Sequence, residues 1–146
     1  MKTISVVTPC FNEEGNVREV YERVRNLMLS LGKYRYEHIF IDNASRDNTF
    51  AILSAIASTD RNVKVIRNAR NFGHVRSPMH ALLQATGDAV IVLMSDLQDP
   101  PEVLGHLIEA WEGGMPIVIA VKHQSHESAP MFLVRRLRRM LTSTTP

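Results

Sequence analysis

The run Ala89-Val90-Ile91-Val92-Leu93-Met94, followed directly by Ser95-Asp96-Leu97-Gln98-Asp99-Pro100-Pro101, decides the fold. An apolar run without polar alternation is the pattern of a strand covered by helices on both faces, as in a parallel sheet. Where it ends, Asp96 and the side-chain amide of Gln98 offer hard oxygen donors of the kind that hold Mg²⁺ or Mn²⁺ against a substrate phosphate. A plain turn is the competing reading of this segment taken alone, because Asp and Pro are common turn residues.

Polar clusters recur after three other predicted strands. They are Thr8-Pro9-Cys10-Phe11-Asn12-Glu13-Glu14, then Asp42-Asn43-Ala44-Ser45-Arg46-Asp47-Asn48-Thr49, then Arg67-Asn68-Ala69-Arg70-Asn71-Phe72-Gly73-His74. The strands are expected at 4–8, 36–41, 63–66 and 89–94, with a fifth at 116–121. Between them, helical spacing predicts helices over 16–31, stopped by Gly32, and over 47–57. A third is expected around 80–85, closed by Gly87, and a fourth opens at Pro100-Pro101 and runs through Trp111. This alternation implies an α/β fold with a doubly wound, largely parallel sheet, whose ligands bind at the carboxyl ends of the strands, where all four clusters fall.

Taken in this order, the clusters resemble those of the family 2 glycosyltransferases with a GT-A fold, a Rossmann-like nucleotide-sugar-binding architecture. Within that family the resemblance is to the polyprenyl-phosphate glycosyltransferases related to dolichol-phosphate mannose synthase, and it covers residues 3–121. It implies that Pro9, Asn12 and Glu13 border a nucleotide and that Asp42 contacts its base or ribose. Asn43, Ser45, Asn71 and Gly73 complete the nucleotide side. Arg70, in the family's Arg-Asn-Phe-Gly loop, pairs with a phosphate, while Asp96 and Gln98 stand on the metal side as catalytic and metal-holding residues.

For several of these positions the residues leave a second reading open. Glu13 and Glu14 equally suit a helix N-terminus, Asp47 sits where a helix cap belongs, and Arg70, Gly73 and His74 are compatible with a solvated loop. The chain also departs from the family pattern. Asn43 and Ala44 replace Asp and Gly in Asp-Asp-Gly-Ser-x-Asp, and Met94 occupies the first acidic position of the family's Asp-x-Asp.

The activity implied by the resemblance is inverting transfer of a sugar from a nucleotide-diphosphate sugar, a UDP-sugar by preference, to a polyprenyl phosphate. Its setting is cell-envelope or glycan synthesis, and its cofactor Mg²⁺ or Mn²⁺. A phosphate acceptor is already anionic near neutral pH, so positioning and electrostatics suffice without a strong general base. That suits this chain, in which Glu127 is the one carboxylate between residues 122 and 146. A catalytically silent nucleotide-binding or interaction domain is the alternative. A flavodoxin-like or receiver-type domain is a weaker one, since it leaves the Arg70 loop and the Asp96 segment unexplained.

Composition sets the outer bounds. The 146 residues are 45% hydrophobic and 22% charged, as in an ordinary globular domain. No apolar stretch approaches the roughly 20 residues that span a bilayer, and Met1-Lys2-Thr3 leads into a strand pattern rather than a signal peptide. The expected location is therefore cytoplasmic, peripheral at the inner face of the membrane. Cys10 is the single cysteine, so an internal disulfide or a cysteine metal cluster is excluded.

Charge is unevenly spread: the net +2 divides into +4 over residues 122–146 and −2 over residues 1–121. We expect a core at 1–121 and a basic, partly helical tail at 122–146, the start of a truncated acceptor-side region. In that tail the apolar residues Leu133, Val134, Leu137, Met140 and Leu141 oppose arginines. Lys122, Arg135 and Arg136 there suit a lipid phosphate or anionic headgroups. A nucleotide sugar and a polyprenyl phosphate are the expected partners. Nucleic acid is not among them, and self-association through an exposed sheet edge is a further expectation.

Overall fold

The computed structural model describes residues 1–121. The elements follow in the order β1 (Thr3–Cys10), α1 (Val17–Leu31), β2 (Arg35–Asp42), α2 (Thr49–Thr59), β3 (Val63–Arg67), α3 (Gly73–Leu82), β4 (Ala89–Val92) and α4 (Val103–Glu112). The strands form one parallel sheet ordered β3-β2-β1-β4.

Both faces of the sheet are covered over β1 and β2, but the double burial expected of the 89–94 run is not met: β4 ends at Val92 and leaves Val90 and Val92 exposed on one face, because α3 lies against β1 and β2. On one face Val17, Val20, Val24 and Met28 of α1, Leu53 and Ile56 of α2, and Leu104 and Ile108 of α4 close over Ile4, Val6 and Phe40. On the other, Ala81 and Leu82 of α3 meet Val7, Ile39 and Ile41. Burying each of these larger side chains contributes about 1.5–3 kcal/mol relative to leaving it in water. Helix α1 stops where Gly32 turns left-handed, at φ +60°, and donates its N–H to the Met28 carbonyl.

Register brings the strand ends to one level. Cys10 of β1 lies opposite Asp42 of β2, and Asp42 lies opposite Arg67 of β3. The chain winds outward from β1 to β3 and then places β4 on the other side of β1. The change of direction therefore falls between β1 and β4, the position where open parallel sheets bind ligands.

Two expectations are corrected. Residues 116–121 are not a strand: they take no regular secondary structure, and Ile117, Ile119 and Val121 are exposed. A β-branched run becomes a strand only where another strand supplies the ladder, and among the described residues β4 pairs with β1 alone. Helix α3 begins at Gly73 rather than near His80, because Arg76-Ser77-Pro78 hides its first turns from a search for apolar spacing. It ends at Leu82, and Leu83 to Ala85 follow in tight turns.

The tail residues Lys122, Arg135 and Arg136, and the helix expected within 131–141, lie outside the described residues. No helix among the described residues is long and apolar enough to cross a membrane.

Candidate functional site

The loops after β1 and β2 are laced together. The Asn12 N–H donates to Ser45 Oγ at 2.9 Å, and Asn12 Oδ1 in turn accepts the Arg46 N–H at 2.9 Å. The Glu13 N–H reaches Thr49 Oγ1 at 2.8 Å, while Asn16 Nδ2 donates to Glu13 Oε2 at 2.8 Å. Asp47 serves α2, accepting the Thr49 N–H at 3.0 Å and the Thr49 hydroxyl at 2.6 Å. Burial alone would raise its carboxyl, but these donors hold it below the usual carboxylate range. Glu14 takes part in the same lacing, accepting the Asn48 N–H at 2.9 Å.

Asp42 sits at the floor of this network, fully buried at the end of β2. Its Oδ1 accepts the Ser45 N–H at 3.0 Å. Its Oδ2 makes no hydrogen bond and faces Arg67 Nε at 3.6 Å. Arg67 is set in turn by Phe50, whose ring lies 4.2 Å below the guanidinium. A buried carboxylate oxygen without a hydrogen-bond donor is costly, and the Arg67 guanidinium offsets part of that cost.

Asn43 fastens the β3 loop. Its Nδ2 donates to Asn71 Oδ1 at 3.0 Å and to the Gly73 carbonyl at 3.3 Å, and its Oδ1 accepts from Asn68 Nδ2 at 3.0 Å and the Phe72 N–H at 2.9 Å. Both donors and both lone pairs of the amide are thus spent within the protein. Asn71 Oδ1 also accepts the Gly73 N–H at 2.8 Å, and Gly73 takes φ +83°. Arg70 projects from this loop, exposed, with its guanidinium 5.0 Å from the Phe72 ring.

The β4 end joins β1 through Ser95, whose hydroxyl donates to the Pro9 carbonyl at 2.9 Å. Beyond it the Gln98 N–H donates to Asp96 Oδ1 at 3.1 Å, and Leu97 between them takes φ +56°. Left-handed non-glycine residues occur at three strand ends, Asn12 after β1, Ala44 after β2 and Leu97 after β4. Strain of this kind is characteristic of ligand-binding loops.

Between β1 and β4 opens a cleft of about 300 Å³, lined by Phe11, Glu13, His74, Val92 and Met94 among others. Burial pushes the Cys10 thiol up, so it stays protonated at the cleft floor and offers no nucleophile.

The expected residues Pro9, Asn12, Glu13, Asp42, Asn43, Ser45, Asn71 and Gly73 therefore form one connected surface. Asp96 and Gln98 are tied to it through Ser95, and Arg70 stands at its margin. Sequence reasoning assigned no role to Arg67, Asn68, Thr49 or Ser95. Each is a small or charged side chain whose partner lies far along the chain, and only the register reveals it. Among the described residues no three His, Cys, Asp or Glu side chains gather into a metal cage. Asp96 and Gln98 as oxygen donors fit a divalent cation that draws the rest of its shell from a ligand's phosphates.

Comparison with known proteins places this geometry in context. The model of the family described as Glycosyl transferase family 2 matches residues 5–145. The "Prophage bactoprenol glucosyl transferase homolog" of Escherichia coli K12 is 43% identical over 117 residues, 80% of this chain and 38% of that protein. The "Undecaprenyl-phosphate 4-deoxy-4-formamido-L-arabinose transferase" of Pseudomonas aeruginosa LESB58 is 36% identical over 128 residues, 86% of this chain and 37% of that protein. The chain thus spans a little over a third of the length of these relatives.

Among solved structures, residues 1–349 of TarS from S. aureus in complex with UDP share the fold at TM-score 0.58 and 24% identity, covering 88% of this chain and 39% of that one. Glucosyl-3-phosphoglycerate synthase from Mycobacterium tuberculosis, in complex with Mn²⁺, UDP and glucosyl-3-phosphoglycerate, matches at TM-score 0.55 and 29% identity, over 75% of this chain and 39% of that one.

Proposed function

This chain belongs to glycosyl transferase family 2, and from that we propose that it is the donor-binding half of an inverting enzyme that moves a sugar from a nucleotide-diphosphate sugar to a polyprenyl phosphate. The observation that carries the reading is the buried Asp42 Oδ2, without a hydrogen-bond donor, at the floor of a surface built from three strand ends. Relatives named for bactoprenol and undecaprenyl-phosphate transfer support the acceptor class, and the UDP and Mn²⁺ of the mycobacterial structure support a UDP-sugar and a divalent metal.

In this reading Asp42 accepts an N–H of the base or a ribose hydroxyl in a charge-assisted hydrogen bond. Pro9, Asn12, Glu13 and Ser45 border the nucleotide. Asn43 acts by position, holding Asn71 and Gly73 so that backbone approaches the ligand, and Arg70 pairs with the diphosphate. Asp96 and Gln98 hold Mg²⁺ or Mn²⁺, which when bound neutralises charge on the leaving nucleoside diphosphate. The acceptor phosphate is the nucleophile and carries its own charge, so the described carboxylates serve binding rather than proton abstraction.

Residues 1–121 are the core in this proposal, and 122–146 begin the acceptor side. Lys122, Arg135 and Arg136 supply positive charge for a lipid phosphate in this proposal, at the inner face of the cytoplasmic membrane. A second reading, nucleotide binding without turnover, is favoured by Met94 at the first acidic position of the metal segment.

Calorimetric titration of the 146-residue chain with UDP and GDP, each with and without Mn²⁺, tests the proposal. Metal-dependent binding of one nucleotide is expected, followed by sugar transfer to a polyprenyl phosphate. Binding without transfer selects the second reading, and no binding of either nucleotide overturns the donor site.

A further inference from the structure

We infer that the exposed face of α3, together with the adjoining face of β4, is a docking surface for an anionic lipid bilayer. The inference goes beyond the donor-site reading and does not depend on it, because bilayer binding needs neither nucleotide nor sugar transfer.

The argument starts from the way α3 sits on the sheet. Ser77 and Ala81 are buried on its inner side, with Leu82 and Ala85 partly buried beside them. Val75, Met79 and Leu83, spaced four residues apart, form the opposite stripe and are 62%, 51% and 77% exposed. The sheet extends this apolar surface. Val92 lies opposite Val7, on the face that α3 covers over β1, and Val90 stands on the same face two residues earlier. Both are exposed, as are Met94 beyond them and Phe11 in the neighbouring cleft. A continuous apolar face of this kind marks contact with a protein or a membrane.

Charge chooses between the two. From Arg61 to Gly87 the sequence holds no Asp or Glu. Of the basic residues there, Lys64 and Arg67 are matched by Glu37 and Asp42 of β2. Arg76 and His80, one helical turn apart and both exposed, flank the apolar stripe, and Arg70 stands over Phe72 at the start of the helix. Among the described residues neither Arg70 nor Arg76 is paired with a carboxylate. The acids nearest the patch lie at the two ends of β4 and in the cleft: Asp88, which accepts the Thr3 N–H at 2.7 Å, then Asp96 and Asp99 beyond Met94, and Glu13. None belongs to α3. An apolar stripe edged by unmatched cations is the pattern of a helix lying in a membrane interface, with its apolar side chains at the acyl boundary and its cations among anionic headgroups. A second copy on this face would instead add like charges to one interface, which disfavours it.

Docking through α3 also sets where the donor site stands. The Gly73 carbonyl and the Asn71 side chain are both bonded to Asn43 and belong to the nucleotide surface. A bilayer against α3 therefore lies beside that surface, at the level where a lipid phosphate is found.

Co-sedimentation of the full 146-residue chain with vesicles of equal parts phosphatidylglycerol and phosphatidylcholine tests the inference, with pure phosphatidylcholine as the comparison. Binding to the anionic vesicles and not to the neutral ones is expected, and it should weaken as salt rises. Each basic residue near such a surface is worth about fivefold in affinity, so Arg76→Glu, which changes two charges, is expected to weaken binding by about 20-fold. Leu83→Ser is expected to weaken it by about tenfold. Circular dichroism verifies that each variant is folded. A polarity-sensitive fluorophore on Met79→Cys is expected to shift to the blue when vesicles bind. One on Leu29→Cys of α1, 57% exposed on the other side of the sheet, is expected to stay unchanged. Cys10, buried and protonated, does not compete for the label.

No binding to the anionic vesicles overturns the inference. Binding that survives Arg76→Glu and Leu83→Ser but is lost when Arg135→Gln and Arg136→Gln are combined assigns the contact to the tail and overturns it as well. A blue shift at residue 79 that grows with protein concentration in the absence of vesicles shows a second copy on this face, with the same consequence. UDP titration of the same samples reports on the donor site separately, so failure of either reading leaves the other standing.

Discussion

Asn43 holds Asn71 in place: its Nδ2 donates to Asn71 Oδ1 at 3.0 Å, from the end of β2 to the loop after β3. The same amide donates to the Gly73 carbonyl and accepts from Asn68 and Phe72, so one side chain closes the whole Arg70–Gly73 loop onto the sheet. The position that carries an Asp in the common family pattern is here a two-donor, two-acceptor hub.

Asn43→Asp, although it restores the common residue, is therefore expected to destabilise this chain by about 1–3 kcal/mol. A carboxylate cannot donate to Asn71 Oδ1 or the Gly73 carbonyl, and it would be left buried facing both. Urea unfolding measures the loss, and faster hydrogen exchange at Phe72 and Gly73 locates it. An unchanged unfolding midpoint would show that the hub is dispensable.

Ala44 takes φ +62°, a left-handed conformation that costs an L residue roughly 1–2 kcal/mol. Ala44→Gly removes that strain at the price of a more flexible unfolded chain. The net expectation is a stabilisation of about 0.5–1 kcal/mol, read as a higher melting temperature with nucleotide binding unaltered. A lower melting temperature would mean that neighbouring contacts of the Ala44 methyl outweigh its backbone strain.

Gly87 has no room for a side chain. A Cβ there would lie 2.6 Å from Ser5 Oγ and 2.8 Å from both Ser5 N and the Thr3 carbonyl oxygen. Ser5 Oγ is also the donor that reaches Glu37 Oε1 at 2.6 Å, and it accepts the Gly87 N–H at 2.9 Å. Gly87→Ala is expected to cost about 3 kcal/mol by prising the start of β4 from β1. Gly15→Ala, with nothing within 4 Å of the added methyl, is expected to stay within about 0.5 kcal/mol of the parent in the same denaturation experiment.

Two buried groups make the fold sensitive to acid. Burial holds the His38 imidazole at about 3, below its ordinary 6.5. Glu37 is pushed up by burial, but Lys64, Ser5 and Thr86 donate to it and bring it from 4.5 down to about 2. Both groups bind a proton less readily folded than unfolded, so stability falls as pH falls. The His38 contribution is complete above pH 6.5 and lost toward 3, and that of Glu37 is complete above 4.5 and lost toward 2. They amount to about 5 and 3 kcal/mol, against a total of about 5–15 for a domain of this kind. Stability measured in urea should therefore decline from pH 6.5 downward. In His38→Gln, which keeps a polar partner for Thr8, it should stay level down to pH 4.5, and a slope equal to the parent's would rule out His38 as the cause.

These features differ in how far the sequence exposes them. The four strands were legible because apolar runs and β-branched residues mark them, although the two-face burial that the 89–94 run suggests fails at β4, where Val90 and Val92 are exposed. Asp47 was legible at the start of α2 because its bonds to Thr49 are local, although the N-cap position itself falls to Asn48. Asn43 was not legible as a hub, since a sequence displays an amide's hydrogen-bonding capacity but not partners at Asn68, Asn71 and Gly73. His38 likewise looks ordinary within its strand, and only the β1–β2 register sets it 2.9 Å from the Thr8 hydroxyl. Residues 116–121 misled for the converse reason: their composition satisfies a strand, and pairing is not a property of composition.

Asp42 provides the sharpest test of the donor site. Its Oδ1 is committed to the Ser45 N–H, while Oδ2 is buried with Arg67 Nε at 3.6 Å and no hydrogen bond. Asp42→Asn retains the shape and the Ser45 bond, and it replaces Oδ2 with a group that cannot accept. A charge-assisted hydrogen bond to a buried ligand group is worth about 1.5–3 kcal/mol, so UDP affinity is expected to fall by about 10- to 150-fold. Folding stability should fall by about 1 kcal/mol, because the variant loses the Arg67 ion pair and sets a buried amide donor against the guanidinium. Calorimetry and urea unfolding on the same sample separate the two effects. UDP binding unchanged in a folded Asp42→Asn chain would place the nucleotide elsewhere on the strand ends, whereas equal losses of binding and stability would make Asp42 a structural residue of β2 and not a ligand contact.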